Sequence, residues 1–215
     1  MEDRAAARLV IWGNGFFMLM MGACVAIQPS WTAVQRGLSY YGNDLRTLAP
    51  YTAGFAVAIG LSAEGLRRHA QTAAGGRRMR SAVRALLALM ALIPLTPYSV
   101  DEIFDFLHIG VTVLLFAAGV VLGGLLALVY LRDLPARLLF AAQLATGGAV
   151  LAAQAGYHSY MIPCELLFQL LVVALIVRAL RRHGRRTRRA IRRGRSPNGA
   201  RRPSSSRSSA SSARA

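Results

Sequence analysis

The chain has 215 residues, of which 54% are hydrophobic and only 16% charged, with a mean hydropathy of +0.40. A water-soluble domain carries about a quarter of its residues as charges, so a soluble enzyme or soluble binding module is excluded. The formal net charge is +17, from 26 basic and 9 acidic residues. Every basic residue is Arg, a usage that points to a GC-rich bacterial genome.

A bilayer core needs about 20 apolar residues per crossing helix. Behind a short N-terminal segment, 1–8, the sequence predicts an all-α membrane bundle of six transmembrane helices over 9–180. The first span, about 9–28, stops at Pro29 and is flanked by Trp12 and Trp31, rings suited to the two membrane interfaces. Within it, Met21-Gly22-Ala23-Cys24 loosely resembles a lipoprotein cleavage box. Glu2 and Asp3 in the leading segment, and an apolar run that continues to Ile27, argue against lipidation.

The second span is about 50–66 and the third about 82–95, the latter ending in Pro94 and Pro97. The fourth, about 104–130, is the longest; the fifth is about 138–156 and the sixth about 164–180. From 181 to 215 the chain is rich in Arg and Ser. No apolar face remains there to offset the entropy of ordering, so a disordered tail is expected.

Arginine placement orients the bundle. With both termini in the cytoplasm, every basic residue except Arg36 and Arg46 falls on the cytoplasmic side. That is the positive-inside pattern, and an odd number of spans would break it. The expected location is a bacterial inner membrane. Arg185, Arg186, Arg188, Arg189, Arg192 and Arg193 lie just beyond the last span. Clusters of this kind attract anionic lipid headgroups, at about 1 kcal/mol per Arg near the surface. Without interleaved aromatics or a folded reader, no specific nucleic acid is expected as a partner.

Small residues mark helix contacts in lipid. Gly119-x-x-x-Gly123 and Gly124 in the fourth span, Ala56-x-x-x-Gly60 in the second, and Gly147 and Gly148 in the fifth are expected to serve contacts within the bundle. Gln143, Thr146, Val150 and Gln154 recur at helical spacing, which turns that stripe inward as hydrogen-bonded glue or the lining of a polar cavity. Asn14 lies in the inner half of the first span.

The outer ends carry the candidate chemistry. Asp101, Asp105, His108 and Thr112 form one stripe at the start of the fourth helix. His158 precedes the sixth span, Glu165 opens it, and Gln169 follows on the same face. Imidazole and carboxylate together suit a zinc site or general acid–base work. Asp101, Asp105, His108, His158 and Glu165 are therefore the candidate metal ligands, and Asp105, His108 and Glu165 the candidate catalytic groups. The competing expectation is a charged rim or a polar lock between helices. The first outer loop holds Tyr40, Tyr41, Asn43, Asp44, Arg46 and Tyr51. It is expected to cap the rim, with its rings as interface anchors and Arg46 pairing with an outer carboxylate or a lipid phosphate. Cys24 and Cys164 sit near outer helix ends, where a disulfide is compatible with an oxidising compartment, although inert buried thiols are the favoured expectation, since small intramembrane Cys are common.

Leu92-Ile93-Pro94-Leu95-Thr96-Pro97-Tyr98 leading into Asp105-Phe106-Leu107-His108, followed by Phe116 in a Gly-rich span, resembles a group of uncharacterised six-helix integral membrane proteins of GC-rich bacteria. That resemblance implies the fold and brings no activity with it. A second comparison is with seven-helix alkaline-ceramidase-like hydrolases, which use His and Asp around zinc at the membrane surface. Their paired HxxxH in the last helix is missing here, where His158 stands alone. Three functions are compatible with the sequence. The first is a non-enzymatic, lipid-interacting or envelope-assembly component. The second is a metal-dependent lipid hydrolase. The third is a small proton-coupled transporter.

Overall fold

A computed structural model describes residues 2–30, 37–72, 77–96, 102–154 and 161–194. Among them there are six α-helices and no strand. Helix α1 spans Glu2–Ile27, α2 Leu45–Thr72, α3 Arg77–Leu92, α4 Glu102–Gly124, α5 Leu134–Gln154 and α6 Met161–Gly194. Short 3-10 turns occupy Leu38–Gly42 and Ile93–Leu95, and α4 continues as a π-helix over Leu125–Leu131. Four segments are long and apolar enough to cross a membrane: Arg4–Ile27, Glu102–Leu131, Leu134–Ala153 and Met161–Arg182. Helix α2 is long but carries Glu64, Arg67 and Arg68, which pair with one another on an exposed face. Helix α3 has 16 residues, about 24 Å of rise; its 3-10 turn brings it to about 30 Å, the thickness of a bilayer core.

Local signals set the helix ends. Asp44 caps α2, its side chain accepting the Arg46 N–H at 2.8 Å. The helix therefore starts five residues before Pro50, the boundary expected from the sequence, and Pro50 is accommodated inside it. Asp133 caps α5 in the same way, accepting the Ala136 N–H at 3.0 Å. Helix α1 runs unbroken through Cys24, which is buried. At the other extreme, α6 continues to Gly194. The stretch 181–194, expected to be disordered, is helical because Arg is a good helix former and an existing helix adds one hydrogen bond per residue fixed. Residues 195–215 lie outside the described residues.

The buried residues sort the bundle into two ends. One cluster joins Val10, Leu66, Val83, Leu122, Leu131, Ala136 and Leu180. The other joins Met21, Tyr41, Tyr51, Met90, Ile93 and Ile162. Successive helices thus run in alternating directions, and the arginine-rich segments gather beside the first cluster. There Asp133 binds Arg182 at 2.7 Å and Arg178 at 3.1 Å, which clamps the α4–α5 corner to α6. The hydrogen bond from Arg178 holds the Asp133 carboxyl below the usual aspartate range. Large apolar side chains cover the outside of the bundle: Leu19, Ile103, Phe106, Leu114, Leu138 and Leu167 are all exposed, Phe106 by 78%. A surface of this kind belongs against lipid or another apolar partner.

The glycine expectations divide. A Cβ on Gly119 would sit 2.9 Å from Phe168, and one on Gly147 3.2 Å from the same ring. Gly123 lies directly against the Gln143 carboxamide. Those glycines do serve the inside of the bundle. Ala56 and Gly60 do not: both are exposed, and a Cβ on Gly60 meets nothing within 4 Å. The close approach of α1 and α2 falls instead at Gly65, where a Cβ would lie 2.8 Å from the Ala6 carbonyl oxygen. Gln143 is fully buried and donates to the Gly119 carbonyl at 2.8 Å, so the head of the expected stripe acts as glue between α4 and α5.

Candidate functional site

A polar layer crosses the bundle between its two apolar clusters. Asn14 donates to the Val10 carbonyl at 2.9 Å and faces Ser62 at 3.5 Å. Gln169 donates to Asn14 Oδ1 at 3.1 Å. Beside them is a void of about 20 Å³, enough for about one water.

Above this layer, at the end away from the arginines, lies a partly open cavity of about 70 Å³. Its walls are mostly apolar: Phe17, Phe55, Met90, Phe116 and Phe168 are among them. Its polar groups are few: Ser39, Tyr51, Thr112, Glu165 and Gln169. The Thr112 hydroxyl is buried and has no hydrogen-bond partner among the described residues.

The loop after α1 supplies the roof. The 3-10 turn over Leu38–Gly42 folds onto the bundle with Tyr41 buried. Thr47 anchors it, donating to the Tyr41 carbonyl at 2.7 Å. The loop therefore folds over the bundle end, and two of its rings, Tyr41 and Tyr51, are buried there and do not serve as interface anchors. Tyr41 and Tyr51 are each only 1% exposed, and Tyr51 packs on Phe55 with ring centroids 5.0 Å apart. Gly37 places the turn against Glu165. Its φ of +83° with ψ of −176° is a conformation open essentially to Gly alone. A Cβ there would also lie 2.9 Å from both Glu165 carboxyl oxygens. The next residue, Leu38, donates its N–H to Glu165 Oε2 at 2.8 Å.

His108 is 5% exposed. Its Nε2 lies 2.6 Å from Ser39 Oγ, and its Nδ1 lies 2.5 Å from the Thr96 carbonyl oxygen. A carbonyl only accepts, so Nδ1 carries the proton and Nε2 accepts from the Ser39 hydroxyl. Tyr51 lines the same cavity as Ser39. The result is a relay from Ser39 through His108 to the Thr96 carbonyl. Asp105 is half-buried and interacts electrostatically with His108.

The structure thus brings Thr112, Glu165 and Gln169 together around one cavity, with His108 behind Ser39. It does not bring the candidate metal ligands together. Among the described residues no three His, Cys, Asp or Glu side chains lie close enough to share an ion; the roof turn meets His108 through Ser39 and Glu165 through Leu38. Asp101 and His158 lie outside the described residues. Arg46 is exposed, and among the described residues no ion pair joins it to Glu102 or Asp105. Cys24 and Cys164 are both free thiols; Cys24 faces the Thr47 carbonyl at 3.6 Å, while Cys164 packs in a separate cluster with Val150 and Met161. No protein-family model, curated protein or solved structure matches the chain.

Proposed function

We propose that this chain is a lipid-interacting protein of a bacterial inner membrane. In this reading six helices cross the bilayer, both termini are cytoplasmic, and the outward end binds an amphipathic molecule in its cavity. Alternating helix directions, the apolar exterior and the gathering of arginines at one end support the topology. The single observation that carries the function is the cavity itself. An apolar wall of aromatic rings, faced by a few polar groups including a Thr112 hydroxyl with no partner among the described residues, suits a molecule with a chain and a polar head. At about 70 Å³ the enclosed part takes only a small polar head or one chain end, and the rest of the molecule would leave through the open side. The basic stretch from Arg185 to Arg193 adds a second lipid contact, to anionic headgroups on the cytoplasmic face.

Native mass spectrometry of the full chain tests the cavity reading. The expected wild-type spectrum keeps one lipid-sized adduct through stepwise delipidation. Leu115→Trp fills the cavity from α4 and should lose that adduct while keeping its fold. Equal retention by both proteins contradicts the proposal.

A further inference from the structure

Among the polar groups at the cavity, the serine–histidine pair is the one whose geometry exceeds what a structural lock needs. Ser39 lines the cavity, and its hydroxyl sits 2.6 Å from His108 Nε2. The imidazole is buried and its other nitrogen is fixed by the Thr96 carbonyl, with Thr96 Oγ1 a further 3.3 Å contact. That is the arrangement of an activated nucleophile: a hydroxyl, a base within hydrogen-bond reach, and a third group holding the base in the right tautomer. The three residues come from the roof turn, the end of α3 and the start of α4, so chance neighbourhood along the chain does not account for it.

We propose that Ser39 and His108 cleave a carboxylic ester with an apolar acyl chain bound in the cavity. This rests on the reading of the cavity as a site for amphipathic molecules. Ser39 Oγ attacks the ester carbonyl carbon as His108 Nε2 takes the hydroxyl proton. The carbon–oxygen bond to the alcohol breaks, and the imidazolium returns the proton to the departing oxygen. An acyl-Ser39 ester remains. Water then attacks the acyl carbon, giving its proton to Nε2; the free acid leaves, and Ser39 regains its proton. Tyr51, which lines the same cavity, and Thr112, whose buried hydroxyl has no partner among the described residues, are the hydroxyl donors on hand for the negative charge that builds on the carbonyl oxygen. The acyl chain would lie along Phe55, Phe116 and Phe168.

The test uses the full chain in nanodiscs and a decyl fluorophosphonate, which phosphonylates an activated serine with loss of fluoride. The expected result is an adduct on Ser39, none on Ser62, and none in Ser39→Ala. Loss of the base in His108→Gln should slow labelling by about 10²–10⁴. If that variant does not fold, selectivity of the wild type for Ser39 over Ser62 decides alone. A wild type that retains a lipid by native mass spectrometry but gives no Ser39 adduct overturns the chemistry and leaves the cavity reading standing. A wild type that neither retains lipid nor reacts overturns both. Equal labelling of wild type and folded His108→Gln overturns the role of His108 as base.

Discussion

Gly37→Ala probes the joint between the roof turn and α6. Two effects add. The new side chain must adopt φ near +83° with ψ near 180°, a region that costs about 1–3 kcal/mol for a non-glycine residue. Its Cβ would also press on both Glu165 oxygens from 2.9 Å, which disturbs the 2.8 Å bond from Leu38 N–H. Losing much of a bond to a carboxyl costs about another 1–2 kcal/mol. The sum is on the order of 2–5 kcal/mol, or a fall in Tm on the order of 4–20 °C for a chain of this size. Thermal unfolding in detergent, followed by intrinsic fluorescence, reads it. Gly15→Ala is the control, because a Cβ there meets nothing within 4 Å and Ala favours a helix by about 0.5–1 kcal/mol. In a Glu165→Ala background the penalty of Gly37→Ala should shrink to the backbone part. A Gly37→Ala protein that melts with the wild type, or an unchanged penalty in the Glu165→Ala background, would refute this view of the roof.

Gly123→Ala should destabilise by about 1–3 kcal/mol, because the added methyl displaces the buried Gln143 carboxamide; Gly60→Ala, facing open space, should cost nothing in the same melt. Asp133 has its carboxyl held below the usual range by Arg178. Its contribution is therefore complete above the ordinary aspartate value of about 3.9, and it is lost as pH falls through the lower folded value. Asp133→Asn should accordingly be less stable than wild type at neutral pH and should show a flatter melting profile between pH 5 and pH 2. Hydrogen exchange at 183–194 should slow in anionic nanodiscs relative to zwitterionic ones, and replacing the six arginines from Arg185 to Arg193 with Gln should remove the difference.

Much of this architecture is written in the sequence. Apolar runs mark six helices, of which four are long and apolar enough to cross a membrane, because burial in lipid or in a bundle demands the same composition along the whole span. The ends were less legible. Pro50 reads as a boundary, yet the Asp44 cap starts α2 earlier; the basic run after Leu180 reads as disorder, yet α6 propagates as far as Gly194. Within the site, periodicity along one helix was sufficient to put His108 with Thr112 and Glu165 with Gln169. The relay was not legible, since Ser39 and His108 are 69 residues apart and a single loop serine carries no spacing signal. Gly37 just before it is the one clue available in sequence, as a glycine can mark a turn needing positive φ. Ala56 and Gly60 show the reverse error: small-residue spacing cannot tell a packed face from an exposed one.

Photo-crosslinking in native membranes with a diazirine-bearing phospholipid, followed by peptide mapping, tests the amphipath-binding cavity most directly. The expected adducts fall on its walls, at Met90, Phe116, Phe168 or Gln169, and disappear in Leu115→Trp. Adducts confined to the lipid-facing exterior, at Phe106, Leu114 or Leu144, and indifferent to Leu115→Trp, would contradict it.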